Sequence, residues 1–561
     1  MTDDSHIRLT RRLVLSLAAA TTVGSLASAA DHTPNTLAES DAEKGPGVPI
    51  PTSVVMTTGG RVRGLIIDGV QSFKGLRYGA PPIGELRWMP PQPAQPWQDV
   101  YDASDFGAPA MQLVSGGHDA ADDFEFQMHR VYTMASDVKV MSEDCLYLNV
   151  WTPGTNHQKR PVMVWIHGGG FTSGSSSMPP YHGDGLAKTG NVVVVSINHR
   201  LNVFGYLHLG EAMGFQFASS GTLGMQDLVL ALQWVRDNAE AFGGDPGNVM
   251  IMGQSGGGAK VCALLSMPSA KGLFHKAAIQ SGPGMTVGRK AQAAEASSLL
   301  LSALNVKPGD VAALQALPAQ SILAAAAKVP GVGSGPILDE VAITRDPFTP
   351  DAPDVSAEVP IIIGWCKDEW TITSASQPWF GQLTDAELED RVSPHGDSAE
   401  KLLAVYRKTY PNYSPTYLWV QMMSGRMMLG SETIASRKAA KAAAPAYVYM
   451  VTWETPVAGG KYKSPHTIEI PFMLYSYDRV RQFVGPGSEP KRMAAQIGGA
   501  WVAFARTGKP DHAGIPHWPE FNANERPVMV FNSISKVIND PLAPVRQALE
   551  ALPAATNLMG L

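Results

Sequence analysis

The sequence predicts an α/β fold, with a mostly parallel central sheet flanked by helices. Three observations carry this. Short continuous apolar runs at 162–166 and 192–197 have the pattern of strands buried on both faces. Residues 227–242 instead carry Leu228, Ala231, Leu232 and Val235 at helical spacing, an apolar stripe along one side. The two patterns alternate along the chain, the order that a parallel sheet with crossover helices requires.

Taken from the start, Thr10-Arg11-Arg12-Leu13-Val14-Leu15 precedes a mildly apolar stretch that closes on Ala27-Ser28-Ala29. The pattern reads as a twin-arginine signal peptide over residues 1–29, with a Sec-type signal or an uncleaved anchor as the alternatives. An exported chain, periplasmic or secreted, is therefore expected. Residues 30–52 are polar, with Gly45-Pro46-Gly47 and Pro49, and read as a flexible linker. Residues 53–561 read as one domain. Within it, 113–141 carries Asp119, Asp122, Asp123 and Glu125 and reads as a solvated loop.

Further strands are expected at 249–252, 277–280, 360–364 and 446–452. Residues 283–358 and 370–444 interrupt the alternation. Both read as helical insertions over the C-terminal edge of the sheet. Met422, Met423, Met427 and Met428 lie at helical spacing in the second, and read as core in preference to a pocket lining.

Composition excludes several functions. The 561 residues are 44% hydrophobic and 17% charged, too little charge for a disordered chain. The net charge of −6, with no long basic run, makes nucleic acid an unexpected partner. Outside the signal no stretch of about 18 apolar residues offers a membrane span. The three cysteines, Cys145, Cys262 and Cys366, include no pair at metal-ligand spacing and read as buried thiols.

The chemistry centres on Gly253-Gln254-Ser255-Gly256-Gly257, a G-x-S-x-G pentapeptide between the apolar run 249–252 and a helix-compatible run at 258–265. Strand, tight turn, helix is the setting of a nucleophilic serine. A neutral serine hydroxyl needs a base, an acid to hold that base, and donors for the oxyanion. His466, in Ser464-Pro465-His466-Thr467, supplies a base. Glu369 supplies an acid just past the strand at 360–364, and Asp368 or Asp339 are alternatives. The donors are expected from His167-Gly168-Gly169-Gly170-Phe171, where the Gly169 and Gly170 amides, with that of Gly256, form an oxyanion hole. His466-x-x-Glu469 has a metal-like spacing but lacks further ligands, so Glu469 reads as a buried structural acid. No metal or cofactor is expected.

Two long segments extend the pentapeptide. Phe242-Gly243-Gly244-Asp245-Pro246-Gly247-Asn248 runs directly into the strand before Ser255, and Glu143-Asp144-Cys145-Leu146-Tyr147-Leu148-Asn149-Val150-Trp151-Thr152-Pro153 forms a second signature. With Phe73-Lys74-Gly75-Leu76-Arg77-Tyr78-Gly79-Ala80-Pro81-Pro82 and Asn198-His199-Arg200-Leu201, these resemble the type-B carboxylesterases and cholinesterases of the α/β-hydrolase fold over nearly the whole mature chain. The resemblance implies a serine ester hydrolase working through an acyl-enzyme, with Ser255, Glu369 and His466 as its triad. It also implies departures. Ala110 stands where the family's partner cysteine for Cys145 would be, so that disulfide is absent. Gln254 replaces a glutamate, which weakens any case for a cationic substrate. Gly256 replaces an alanine, a change that leaves the amide donor intact. Trp370 stands where a glycine is common. An uncharged apolar or aryl ester is the expected substrate. A catalytically silent binding protein, or an amide or carbamate hydrolase with the same triad, are the alternatives. Oligomeric state is not legible in the sequence.

Overall fold

A computed structural model describes residues 47–113 and 140–552. The signal peptide, most of the linker and most of the 113–141 loop lie outside the described residues. Twelve strands form one sheet. In chain order they are β1 (Ile50–Pro51), β2 (Leu65–Ile67), β3 (Val70–Arg77), β4 (Tyr147–Thr152), β5 (Arg160–Ile166), β6 (Val193–Ile197), β7 (Gly244–Gln254), β8 (Lys276–Gln280), β9 (Ile361–Cys366), β10 (Ala446–Val451), β11 (Pro527–Phe531) and β12 (Lys536–Asn539). Across the sheet the order is β1-β2-β3-β4-β6-β5-β7-β8-β9-β10-β11-β12. Every pair from β6 to β11 is parallel. The flanking strands pair antiparallel. Ile50 and Pro51, expected in the linker, instead open the sheet by pairing with Ile66 and Leu65.

The continuous apolar runs have a direct physical cause. In β5, Val162, Val164 and Ile166 enter one core layer while Met163 and Trp165 enter the other, and all five are fully buried. A strand covered on both faces has no side left for polar residues. The first layer is completed by α1 (Leu223–Asn238), α2 (Gly256–Ser266) and α3 (Pro415–Lys441). The second is completed by α4 (Glu489–Thr507), which buries Met493, Ile497, Trp501 and Phe504 along one stripe.

The insertions differ from expectation. Residues 283–358 carry three helices, Lys290–Ala303, Val311–Ala316 and Ala319–Ala326, and also a small parallel pair, Gly288–Arg289 with Ile337–Leu338. In 370–444, α3 does not stay at the C-terminal edge. Gln421 Nε2 donates to the Lys367 carbonyl (3.1 Å) just beyond β9, while Lys438 Nζ donates to the Ser356 carbonyl (2.8 Å) ahead of it. The helix therefore runs the full length of the strand as a layer of the core. Met422 and Met428 are buried in that layer.

All three cysteines are free and buried. Cys145 and Ala110 share one apolar cluster. A buried ion pair joins Arg200 to Asp227 of α1 at 2.7 Å, and Asp227 also accepts the Arg200 amide (3.0 Å). Removing one member strands a charge in the core, so Asp227→Ala is expected to cost about 3–5 kcal/mol, measured by denaturant unfolding.

Candidate active site

The parallel strands β5, β7, β9 and β10 deliver their C-terminal ends to one edge, and each end carries a piece of the site. Ser255 follows β7 directly and sits at φ 58°, ψ −125°, a backbone region that a non-glycine residue rarely adopts. The turn is held by the Ser255 amide donating to the Gln280 carbonyl (2.8 Å) and by the Ala259 amide donating to the Ser255 carbonyl (3.1 Å). Gly257 is required by close packing, since a Cβ there would overlap the Ile166 carbonyl oxygen. Ser255 is partly exposed. Among the described residues its hydroxyl makes no hydrogen bond, and catalytic hydrogen bonds often tighten only when substrate binds.

Glu369 lies three residues beyond β9 and is buried. One of its oxygens accepts the Cys366 amide (2.8 Å), and the other is hydrogen-bonded to His466 Nδ1. This fixes a tautomer: Nδ1 carries the proton and Nε2 presents a lone pair. The alternatives for the acid are occupied elsewhere. Asp368 accepts the Ser464 amide (3.2 Å) and the Gln421 side chain (2.7 Å), and its own amide donates to the Ser464 carbonyl (2.9 Å). It thereby braces the loop that carries His466. Burial pushes its carboxyl up to about 6. Asp339 caps a turn by accepting the amides of Val341, Ala342 and Ile343.

Burial works against a charged His466, but the neighbouring Glu369 charge and hydrogen bond more than offset it, and the imidazole is raised above its ordinary value. Glu469 is the buried acid expected from the sequence. Its Oε2 accepts the Cys366 thiol (3.1 Å), and burial, then the Glu369 charge, push it up to about 7. The Glu369 charge thus disfavours a second full negative charge at Glu469. Among the described residues no group of three or more His, Cys, Asp or Glu side chains is arranged to hold a metal ion.

The glycine loop leaves β5 at His167. Gly169 and Gly170 both take positive φ, 85° and 60°, a backbone region that glycine enters without steric cost. Neither amide donates to another described residue, and the Gly256 amide is an unpaired N-terminal donor of α2. The glycine loop and the start of α2 lie in close contact beside Ser255, since a Cβ at Gly256 would fall 2.5 Å from the Gly170 Cα. Exchanging Gly256 for alanine is not neutral in this fold, because a Cβ at Gly256 would overlap the Gly170 carbonyl. Gly256→Ala is expected to push the loop away and lower kcat by about ten- to hundredfold with the unfolding midpoint nearly unchanged, a comparison of steady-state kinetics and thermal unfolding.

Gln254 and Trp370, singled out in the sequence, and Lys260, which carries no signal in the motifs, also sit at the site. Gln254 Nε2 lies 3.1 Å from His466 Nε2 and 3.3 Å from Nδ1. Ring nitrogens point apart, so near-equal distances place the amide over the ring face instead of along a lone pair. Lys260, in α2, is fully buried and donates to the His167 carbonyl (3.1 Å). Trp370 receives the Arg426 guanidinium over its ring at 5.2 Å, and its amide bonds Ser424 Oγ (3.3 Å). A cavity of about 400 Å³ adjoins the glycine loop, walled by Phe171, Tyr206, Ala259, Val287, Gln292 and Val332. The α3 methionines do not line it.

Known proteins match this chain over most of its length. The sequence profile of the carboxylesterase family matches residues 51–548. The para-nitrobenzyl esterase of Bacillus subtilis (strain 168) is 34% identical over 508 residues, covering 88% of this chain and 98% of its own. The phenmedipham hydrolase of Pseudarthrobacter oxydans is 33% identical over 498 residues, covering 85% and 94%. The crystal structure of a Geobacillus stearothermophilus carboxylesterase superposes with a TM-score of 0.77 at 37% identity, covering 89% of this chain and all of that one.

Proposed function

Because the chain belongs to the carboxylesterase family and is a carboxylic-ester hydrolase of the α/β-hydrolase fold, we propose that Ser255 is its nucleophile, His466 its general base and Glu369 the acid that orients the base. The observation that carries this reading is the Glu369–His466 hydrogen bond beside a strained serine at the same sheet edge. Ser255 Oγ attacks the ester carbonyl while His466 Nε2 takes its proton. Charge on the carbonyl oxygen falls to the Gly169, Gly170 and Gly256 amides. His466 then protonates the departing alcohol, and water reverses the cycle on the acyl-enzyme. Catalysis by this route requires His466 neutral, so kcat/KM rises with pH through a value above the ordinary imidazole range. The test is burst kinetics with p-nitrophenyl butyrate. One equivalent of p-nitrophenol per chain is expected ahead of steady turnover, with organophosphate labelling at Ser255 alone. A label at another residue overturns the assignment.

The substrate is an uncharged ester with an apolar or aryl portion. The cavity beside Phe171 and the neutral Gln254 support this, while the buried α3 methionines contribute nothing to it. Carbamate hydrolysis by the same triad is a second reading, favoured by the relative named a phenmedipham hydrolase. Matched ester and carbamate substrates separate the two. The chain is exported through removal of residues 1–29, supported by Arg11-Arg12 and by Ala27-Ser28-Ala29. N-terminal sequencing of the mature protein checks this. Among the described residues no helix is long and apolar enough to cross a membrane.

A further inference from the structure

Lys260 stands out among the buried polar groups. It lies five residues beyond the nucleophile in α2, is fully buried, and forms no ion pair among the described residues. Burial pulls its amine down to about 7. The titratable groups that face it are His167 and His199, whose rings stack at 4.7 Å and are held neutral, mainly by burial. A lysine without a carboxylate is a costly choice for a core position. Its contacts show what it does there.

The Lys260 amine donates to the His167 carbonyl (3.1 Å), the last carbonyl before Gly168-Gly169-Gly170, and no backbone amide of the described residues reaches that oxygen. The same amine lies 5.4 Å from the centroid of the Phe171 ring, at the far end of the loop. The Phe171 carbonyl is itself anchored by the Asn202 amide (2.8 Å). Within the loop the Thr172 and Ser173 amides donate to the Gly169 carbonyl (3.3 and 3.1 Å), and outward the two glycines lie between a backbone anchor at Phe171 and a side-chain anchor at His167. Only the second is tied to the helix that carries Ser255.

We infer that Lys260 is a positioning residue for the oxyanion hole, holding the start of the glycine loop in register with the nucleophile helix. This rests on the assignment of Gly169 and Gly170 as oxyanion donors. Without the amine, the buried His167 carbonyl has no donor, and the loop moves to find one. Displacements on the order of an ångström at a reacting centre cost about a hundredfold in rate. The donors are needed chiefly where negative charge develops, so the loss falls on the transition state and not on substrate binding.

The experiment compares the full-length enzyme with Lys260→Met, which keeps the stem and removes the donor. kcat for p-nitrophenyl butyrate is expected to fall by about ten- to hundredfold with KM within about twofold. The inhibition constant of a trifluoromethyl ketone analogue, whose hemiketal oxygen occupies the hole, is expected to rise by the same factor. Organophosphate titration should still count one serine per chain. A folded Lys260→Met enzyme with unchanged kcat and only a lower melting temperature would make the lysine structural and overturn the inference. So would a fall in kcat without a parallel loss of analogue affinity. If Lys260→Met is not recovered folded, the same measurements on Lys260→Gln decide, because its amide is one atom short of the carbonyl. Weak binding of the ketone by the wild-type enzyme would instead refute the oxyanion assignment itself, which keeps the two failures apart.

Discussion

Replacing Ser255 by alanine is expected to lower kcat by about 10⁴- to 10⁶-fold and to abolish the p-nitrophenol burst. The hydroxyl is the only group at the turn that forms the acyl bond in the proposed cycle, and removing it leaves the amides and His466 without a partner. Folding should be little affected, because Ser255 enters the hydrogen-bond network through its backbone and not through its hydroxyl. The same φ of 58° is retained by alanine, which is no better suited to it than serine. Residual hydrolysis above the water rate would report the oxyanion donors alone. Turnover that survives intact would place the nucleophile elsewhere.

Glu369→Gln is expected to lower kcat by about 10³- to 10⁴-fold while the enzyme stays folded. The carboxylate holds the proton on Nδ1 so that Nε2 faces the serine, and it stabilises the imidazolium during proton transfer. A carboxamide keeps the volume but loses the charge and permits the other tautomer. The pH profile carries a second signature. The Glu369 charge and hydrogen bond are what outweigh burial at His466. Without them burial dominates, the imidazole loses protons more readily, and the acid limb of kcat/KM moves to lower pH. Asp368→Asn serves as the contrast, since it leaves the Glu369–His466 pair in place and loosens only the brace on the Ser464 loop. Equal losses in the two variants would take the acid role away from Glu369.

Much of this protein is legible in its sequence. Continuous apolar runs mark strands buried on both faces because such a strand has no solvated side, and β5, β6 and β8–β10 fall where those runs lie. The nucleophile turn is legible because its geometry admits few residues besides glycine around Ser255. The α4 stripe at Met493, Ile497, Trp501 and Phe504 was equally open to the periodicity rule and went unread.

Other features exist only in three dimensions. Asp368 and Glu369 are adjacent carboxylates in one loop, and no spacing rule separates them. The fold does so by turning one to His466 and the other to Ser464, nearly a hundred residues away in either case. The cost of an alanine at Gly256 is invisible in a motif, because the atom it would strike belongs to Gly170 on another strand's loop. Lys260 looks like any exposed helix lysine, since a helix stripe records which positions face inward only on average. Local sequence determined the strands, the sharp turn and the types of residue that do chemistry. Which carboxylate meets the histidine, which glycine is indispensable and which lysine is buried were decided by packing between segments far apart in the chain, whose mutual distances no local pattern encodes.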